Sequence, residues 1–267
     1  MKCPICEFNK VKTIKRDISL FRHLDFTQLP DCKLFLNICT NCGLVFRNIS
    51  SNDSKELYNH YNSDKYRHTI QSAQTYDGKT RQQIQSEYLL RDYNNKQISI
   101  LDIGCLDGHL LNEFNNICPR SNLHGYDVGK FPLSSIPNYI TYHNKSLDNV
   151  SGKFDIITLS HCMQYIENIP DLFYQLKRLL AVNGKIYIQT PDFSKKPASL
   201  LLGDAYYHFT ISSLSNISQI CGFSSKNIRI NAFSRDVTCI LQIGTGIVSD
   251  TKINEINKAI ENIDEIC

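Results

Sequence analysis

The sequence predicts an α/β fold, a doubly wound and mostly parallel sheet, with a small cysteine-rich module at its N-terminus. Two observations support this prediction. From Gln97 onward, apolar runs of strand length alternate with amphipathic helical segments, as in a parallel sheet covered on both faces. Five of the 11 cysteines lie between Met1 and Cys42, whereas the others are scattered over the rest of the chain.

Composition excludes several classes of protein. The 267 residues include 29 basic and 26 acidic side chains, a net charge of +3 that argues against nucleic acid or an anionic membrane as a partner. A hydrophobic content of 42% is typical of a folded domain and not of a disordered chain. The sequence has no apolar run of the ~20 residues that span a bilayer and no signal-peptide core. We therefore expect a cytoplasmic protein with reduced thiols.

Three regions are expected along the chain. Residues 1–50 form the cysteine-rich module with short β-like runs. Residues 51–95 are polar, rich in Asn, Gln, Ser and Tyr, and are expected to form a connector with modest helical content that covers the active site. Residues 96–267 form the main α/β domain with a C-terminal cap segment, which includes a closing helix over 253–263.

Five strands and two helices are predicted in order within the main domain. Each strand is an apolar or β-branched run, and the fourth has the composition of a central strand. A turn is expected at Asn183-Gly184, between the second helix and the fifth strand. The predicted strands cover 98–103, 123–127, 139–142, 154–159 and 185–189, and the predicted helices cover 108–115 and 172–180.

The cysteines near the N-terminus predict a metal site. They form two C-x2-C pairs, Cys3 with Cys6 and Cys39 with Cys42, separated by a segment longer than in compact zinc modules. Four thiolates in tetrahedral geometry suit Zn²⁺ and leave no open position, so the metal would be structural. Gly43, after the second pair, eases the backbone where amides approach sulfur. The alternatives are two unrelated thiol pairs, an iron–sulfur site, and Cys32 in place of one ligand.

The segment 100–111 predicts a cofactor site, because an apolar strand runs into glycines and then into an amphipathic helix. Asp102 lies inside the strand, Gly104 and Gly108 follow it, and Asp127 ends the next strand. The separation of Asp127 from Gly108 is close to the ~20 residues expected for an acid that binds ribose hydroxyls. A tight strand–helix turn without any ligand is the alternative.

The glycine pattern distinguishes between two cofactors. A pyrophosphate site uses G-x-G-x-x-G, whereas this chain has Leu106 at the middle position, between Gly104 and Gly108. The Asp102 carboxylate would repel a pyrophosphate but would attract the ammonium group of a methionine moiety, and both effects are larger in a partly dry crevice. The sequence therefore favours S-adenosylmethionine over a nicotinamide dinucleotide.

These motifs resemble the class I S-adenosylmethionine-dependent methyltransferases. Within this class the chain is most similar to the bacterial members that carry an N-terminal zinc ribbon and modify sugars or other cell-surface and secondary-metabolite precursors. The resemblance covers nearly the whole chain and implies a Rossmann-like domain beside a zinc ribbon over residues 1–50. Besides the cysteine pairs, it rests on residues 43–47, 57–61, 101–105, 125–127, 154–161, 179–188, 208–210 and 221–223.

The resemblance implies which residues bind the cofactor. Ser146 and Leu147 correspond to positions that contact adenine, and the others line the ends of the first, second and fourth strands. The full set is Asp102, Gly104, Cys105, Leu106, Gly108, Asp127, Val128, Ser146, Leu147 and Ser160.

Methyl transfer from a sulfonium is an in-line displacement, and a hydroxyl acceptor also needs a general base. Two histidines are the catalytic candidates. His161 leaves the fourth strand at its carboxyl end, where ligand crevices of α/β sheets open, and His208 lies in the C-terminal cap segment. The alternatives are a strand-end histidine with satisfied hydrogen bonds and a helix-start residue.

The acceptor is expected to contact an aromatic, hydroxyl-bearing wall and one carboxylate. This substrate-binding set is Tyr58, Tyr61, Tyr66, Tyr165 and Asp192. The alternatives are packing tyrosines with hydrated tips and a turn residue at Asp192.

Three departures from the family pattern refine the expected function. Leu106 replaces a common glycine, Tyr165 replaces a common second histidine, and the segment after Asp192 is shorter than in the sugar carbon-methyltransferases. We therefore expect transfer to oxygen or nitrogen of a small polar acceptor, such as a sugar, a nucleotide-linked sugar or a cell-surface glycan precursor. One alternative is an RNA methyltransferase that binds RNA through the basic stretch 10–16 of the ribbon. The other is a non-catalytic scaffold that binds the cofactor.

Overall fold

The computed structural model describes residues 1–21, 28–49, 75–93, 96–129 and 133–244, together with positions 55, 59 and 261. Two compact units are formed. The first contains Met1–Ser54, His161–Tyr174 and Ile188–Cys267, and the second contains Lys55–Ser160 and Gln175–Tyr187. The predicted closing helix over 253–263 and most of the connector lie outside the described residues.

The first unit contains a four-stranded sheet, to which the cysteine-rich module contributes three strands. Its strands are β1 Val11–Phe21, β2 Gln28–Cys39, β3 Val45–Phe46 and β11 Tyr207–His208, in the order β1-β2-β3-β11 with antiparallel pairing. Apolar side chains from these strands and from later segments form one core: Ile14, Leu20, Leu34, Leu36, Ile38, Val45, Phe193 and Leu200. A module of this size gains its core by packing with later segments of the same unit.

The larger sheet has seven strands: β6 Ser99–Ile103, β7 Asn122–Tyr126, β8 Ile140–His143, β9 Phe154–Ser160, β10 Leu180–Pro191, β12 Phe223–Asn227 and β13 Asp236–Ile243. Their order is β12-β13-β10-β9-β6-β7-β8. Strand β6 pairs in parallel with β7 and β9, β7 pairs in parallel with β8, and β12 pairs antiparallel with β13. The predicted α/β fold with a mostly parallel sheet is confirmed, and β9 has the predicted central place.

Four helices and a short hairpin complete the described elements. The hairpin strands are β4 Thr75–Tyr76 and β5 Lys79–Thr80, and the helices are α1 Arg81–Leu90, α2 His109–Ile117, α3 Ile169–Leu179 and α4 Ile211–Ile220. The turn predicted at Asn183-Gly184 lies inside β10, where Asn183 has a φ of 65°. Among the described helices, none has both the length and the apolar character required to cross a membrane.

Helix α1 lies in the region where the sequence predicts only modest helical content. Thr80 and Gln83 form a capping box, in which the Thr80 side chain accepts from the Gln83 N–H and the Gln83 side chain accepts from the Thr80 N–H. The buried face of α1 includes the polar residues Gln85 and Ser86 beside Leu89 and Leu90, so it has no continuous apolar stripe. Because part of this buried face is polar, the sequence lacks the apolar repeat that would have predicted the helix.

Candidate functional site

The loop between β6 and α2, in the second unit, bends through three left-handed residues. Gly104, Leu106 and Gly108 have φ values of 77°, 54° and 89°. The Gly104 N–H donates to the Tyr126 carbonyl at 2.8 Å, which holds the loop against the end of β7. Gly108 caps α2, and a Cβ there would lie 2.8 Å from Ile140 Cδ1, so both the backbone angle and the space favour glycine.

The carboxylate of Asp127 fixes this loop. Its Oδ2 accepts from the Leu106 N–H at 2.9 Å, and its Oδ1 accepts from the Gly129 N–H at 2.7 Å. The side chain is buried, and burial raises its pKa although both backbone hydrogen bonds lower it. Leu106 therefore takes the conformation that a glycine would take more easily, and its amide is held by Asp127.

Asp102 lies in β6 with Gly125 of β7 and Thr158 of β9 as its register neighbours. It is 4% exposed, and the Thr158 hydroxyl donates to its Oδ1 at 2.6 Å. Burial raises the pKa of Asp102 from 3.8 to about 7, the Thr158 hydrogen bond opposes this rise, and the Asp127 charge adds to it. The second unit thus holds two buried carboxyl groups whose ionisation a cation would favour.

The other predicted cofactor residues occupy varied environments in the second unit. Cys105 is buried, and burial raises the pKa of its thiol well above the usual range. Val128 is exposed. The Ser146 side chain accepts from the Asp148 N–H at the start of the short helix Leu147–Asn149, and the Ser160 hydroxyl accepts from the Gln85 amide at 2.8 Å. The described contacts join Leu106 to Asp127, and do not extend from them to Ser146, Leu147 or Ser160.

His161 belongs to the first unit and follows directly after β9. Its Nε2 lies 3.1 Å from Oδ2 of Asp236, and the Gln189 amide donates to that same carboxylate oxygen at 2.6 Å. The His161 N–H also donates to the Gln189 carbonyl at 2.7 Å. His161 has a φ of 55°, a left-handed backbone that the Gln189 carbonyl contacts, and Asp236 contacts its ring.

His208, also in the first unit, lies in β11 opposite Val45 of β3. It is buried, and its Nε2 has no hydrogen-bond partner among the described residues. Burial, with a further contribution from the nearby Arg47 charge, lowers the pKa of His208 well below its usual 6.5. His208 is therefore neutral and a weak proton acceptor in this environment.

The structure describes two of the five predicted acceptor residues. Tyr165 ends the short helix Met163–Tyr165. Asp192 is buried, and its Oδ1 accepts from the backbone and hydroxyl of Ser194, which are contacts typical of the turn residue named as its alternative. The other three, Tyr58, Tyr61 and Tyr66, lie outside the described residues.

The four predicted metal ligands converge in the first unit. The Sγ atoms of Cys3, Cys6, Cys39 and Cys42 all lie within 4.8 Å of one another. The Cys3–Cys42 and Cys6–Cys39 pairs are 3.7 Å and 3.4 Å apart, close to the ~3.8 Å that Zn–S bonds of about 2.3 Å give in a tetrahedron. The side chain of Cys32 lies outside the described side chains.

The backbone of both cysteine pairs has the same local form. Glu7 after the first pair and Gly43 after the second have φ values of 56° and 74°, and their N–H groups donate to the Cys3 and Cys39 carbonyls. Hydrogen bonds with neighbouring thiols, together with burial, raise the pKa of Cys42 above its usual range. Four crowded thiols do not all ionise unaided, so the donor set fits a divalent cation that would balance the thiolate charge.

Comparison with known proteins gives the family. The family described as "Methyltransferase domain" matches residues 58–224, which is more than half of the chain. The chain belongs to the methyltransferase domain family. This confirms the predicted enzyme class, an S-adenosylmethionine-dependent methyltransferase. The comparison with curated proteins finds no match.

Solved structures share the fold at low sequence identity. A Burkholderia thailandensis 1,6-didemethyltoxoflavin-N1-methyltransferase with S-adenosylhomocysteine is 11% identical, with a TM-score of 0.54 over 79% of this chain and 96% of that one. The Synechocystis PCC 6803 magnesium protoporphyrin IX methyltransferase is 18% identical, with a TM-score of 0.53 over 72% and 100%. The plantazolicin methyltransferase BpumL is 18% identical, with a TM-score of 0.50 over 73% and 91%.

Several residues at these sites were missed by the sequence analysis. Thr158 could have been found, because parallel pairing of two predicted strands places it beside Asp102. Asp236 and Gln189 gave no comparable signal, since both are far from His161 in the chain and reach it only through the fold.

Proposed function

We propose that the protein transfers a methyl group from S-adenosylmethionine to an oxygen or nitrogen of a small polar acceptor. The observation that supports this most directly is the pair of buried acids, Asp102 and Asp127, on either side of a left-handed loop in a chain of the methyltransferase domain family. When bound, S-adenosylmethionine would supply an electrophilic methyl group on a sulfonium.

The residues of the loop fit this cofactor. Gly104 and Gly108 present backbone rather than side chains, so a ligand can approach closely. Asp102 would pair with the ammonium group of the methionine moiety, and Asp127 would accept from ribose hydroxyls while it still anchors the Leu106 amide. Cys105, Val128, Ser146, Leu147 and Ser160 complete the proposed contacts.

His161 is the proposed general base. Its Nε2 faces the Asp236 carboxylate, which favours a positive charge on the ring, whereas burial and Arg47 disfavour one on His208. A base must gain a proton during the reaction, so the first environment suits that role better. His208 stays the second predicted catalytic residue, and its buried environment makes it the weaker base of the two.

The proposed acceptor is a sugar, a nucleotide-linked sugar or a cell-surface glycan precursor. Its support is the resemblance of the cysteine module and the tyrosine-rich connector to that class of methyltransferase. Tyr58, Tyr61, Tyr66, Tyr165 and Asp192 are the proposed acceptor contacts. The similar solved structures name other small molecules, including 1,6-didemethyltoxoflavin. A cytoplasmic location stays a prediction.

Zinc is the proposed structural metal of the four-cysteine cluster. The convergence of the four sulfur atoms and the matched left-handed turns of both pairs support it. A closed four-sulfur shell has no open position, so the metal would stabilise the first unit and take no part in methyl transfer.

Titration calorimetry followed by a turnover assay tests the proposed function. The zinc-loaded protein is expected to bind S-adenosylmethionine, and incubation with a panel of sugars and nucleotide-linked sugars should release S-adenosylhomocysteine with one of them. Absence of cofactor binding would reject the proposal. Binding without turnover on any small acceptor would favour the scaffold alternative, and salt-sensitive RNA binding with RNA-dependent turnover would favour the RNA alternative.

A further inference from the structure

The surroundings of His161 carry an inference about the acid–base step, and it rests on the proposed function. We propose that Asp236 is a positioning residue that holds His161 as the Nε2–H tautomer, so that Nδ1 accepts the proton of the methyl acceptor.

His161 and Asp236 form a buried pair at hydrogen-bond distance. Oδ2 of Asp236 lies 3.1 Å from Nε2 of His161, within hydrogen-bond distance, and both side chains are largely buried, at 14% and 17% exposure. A carboxylate accepts hydrogen bonds and does not donate them, so it favours the tautomer with the proton on Nε2. The neutral ring then carries its lone pair on Nδ1.

Gln189 orients the Asp236 carboxylate. Gln189 is fully buried, and its side-chain amide donates to the same Oδ2 of Asp236 at 2.6 Å. The Gln189 carbonyl accepts from the His161 N–H at 2.7 Å, and the Gln164 side chain donates to the His161 carbonyl at 3.0 Å. Gln189 therefore holds both members of the pair, and neutral amides fix the backbone on either side of the ring.

The backbone of His161 is also held in an unusual conformation. Its φ of 55° is a left-handed conformation that residues with a side chain rarely adopt, and it turns the chain sharply just after β9 ends. Surrounding contacts must maintain such a conformation. The hydrogen bonds of Asp236, Gln189 and Gln164 are contacts of this kind.

The reaction balances with this assignment. As the acceptor oxygen bonds to the methyl group and the methyl–sulfur bond breaks with its electron pair left on sulfur, the hydroxyl proton moves to Nδ1 of His161. The ring becomes an imidazolium, and Asp236 stabilises its charge.

The test compares wild type with Asp236→Asn, which keeps the size of the side chain but removes its charge. We expect kcat to fall about 10- to 100-fold with KM within about threefold, and the acid limb of the pH profile to move down by about one unit. Asp171→Asn, an exposed acid in the same unit, is the matched control and should change neither quantity. Nitrogen-15 NMR of wild-type His161 should show the Nε2–H tautomer, whether or not a variant folds.

The outcomes separate this inference from the proposed function. An Nδ1–H tautomer in wild type, or an active wild type whose kcat and pH profile survive Asp236→Asn, would overturn the role of Asp236 alone. A wild type that binds S-adenosylmethionine and methylates no acceptor would overturn the proposed function. Circular dichroism and cofactor affinity of Asp236→Asn should match wild type, which distinguishes lost positioning from lost folding.

Discussion

Replacing Asp102 with Asn should make the ligand-free protein more stable at neutral and alkaline pH. The carboxyl has a pKa of about 7 in the folded protein and 3.8 as an ordinary exposed group, mainly because it is buried. At about 1.36 kcal/mol per pKa unit, forcing it to ionise in the fold costs about 4 kcal/mol. Asn avoids this cost and still offers an oxygen to the Thr158 hydroxyl.

The pH window follows from the sign of the shift. A folded pKa raised above the unfolded value means that the protonated carboxyl stabilises the fold below about pH 3.8, and that this contribution is lost as pH rises through about 7. Between pH 5 and pH 8, the free energy of unfolding of Asp102→Asn relative to wild type should increase by about 3 kcal/mol. Urea denaturation of both proteins at both pH values measures this change, and an equal difference at the two values would show that the Asp102 carboxyl does not titrate near pH 7.

The same substitution should weaken cofactor binding, although it should stabilise the ligand-free protein. A charge-assisted hydrogen bond contributes about 1.5–3 kcal/mol, so the affinity of Asp102→Asn for S-adenosylmethionine should fall about 10- to 100-fold. Wild-type affinity should rise as pH increases through 7, because the carboxyl must ionise to pair with the ammonium group. Calorimetry at pH 6 and pH 8 checks both effects. Unchanged affinity with increased stability would show that Asp102 is a buried acid without a ligand.

Further predictions concern the four-cysteine cluster, the packing around Gly125 and the cap of α4. Cys42→Ser should reduce bound zinc, measured by elemental mass spectrometry, from about one ion per chain to near zero, and should lower the melting temperature. Gly125→Ala should lower the free energy of unfolding by about 1–3 kcal/mol, because the added Cβ would lie 2.7 Å from Cys105 Sγ. Adding Cys105→Ala should recover most of that loss in thermal denaturation, and no recovery would contradict the packing argument. Thr210→Ala removes the N-terminal cap of α4 and should lower the free energy of unfolding, measured by urea denaturation, by about 1 kcal/mol. Ser212→Ala, within the same helix, should lower it less.

Much of the fold was predictable because the strands of the larger sheet are short apolar runs bounded by turns. Strands β6, β7, β8 and β9 begin and end close to the predicted limits. Helix α4 lies between residues 208–210 and 221–223, two of the ranges on which the family resemblance rests, and Thr210 caps it. Helix α1 was not predictable by the same method, because Gln85 and Ser86 occupy its buried face.

The candidate site was predictable only where its residues belong to a recognisable sequence motif. Asp102, Leu106 and Asp127 are joined through one loop and two adjacent strands, so a local motif was sufficient to find them. Asp236 and Gln189 reach His161 through tertiary contacts between distant parts of the chain, and neither has a flanking motif. Sequence reasoning could name the base candidate but not the groups that orient it.

Backbone strain gives an independent marker of the same sites. Five described residues other than glycine have left-handed φ values: Glu7, Asp77, Leu106, His161 and Asn183. Asp77 and Asn183 are residue types that tolerate this conformation in turns. Glu7 and Leu106 are not. Glu7 lies where the backbone bends tightly beside the four-cysteine cluster, and Leu106 lies in the loop that Asp127 anchors. A left-handed leucine or glutamate persists only where other contacts hold it. The backbone bends at Glu7 and Leu106 are therefore requirements of the cysteine cluster and of the β6–α2 loop, and do not come from the conformational preference of either residue.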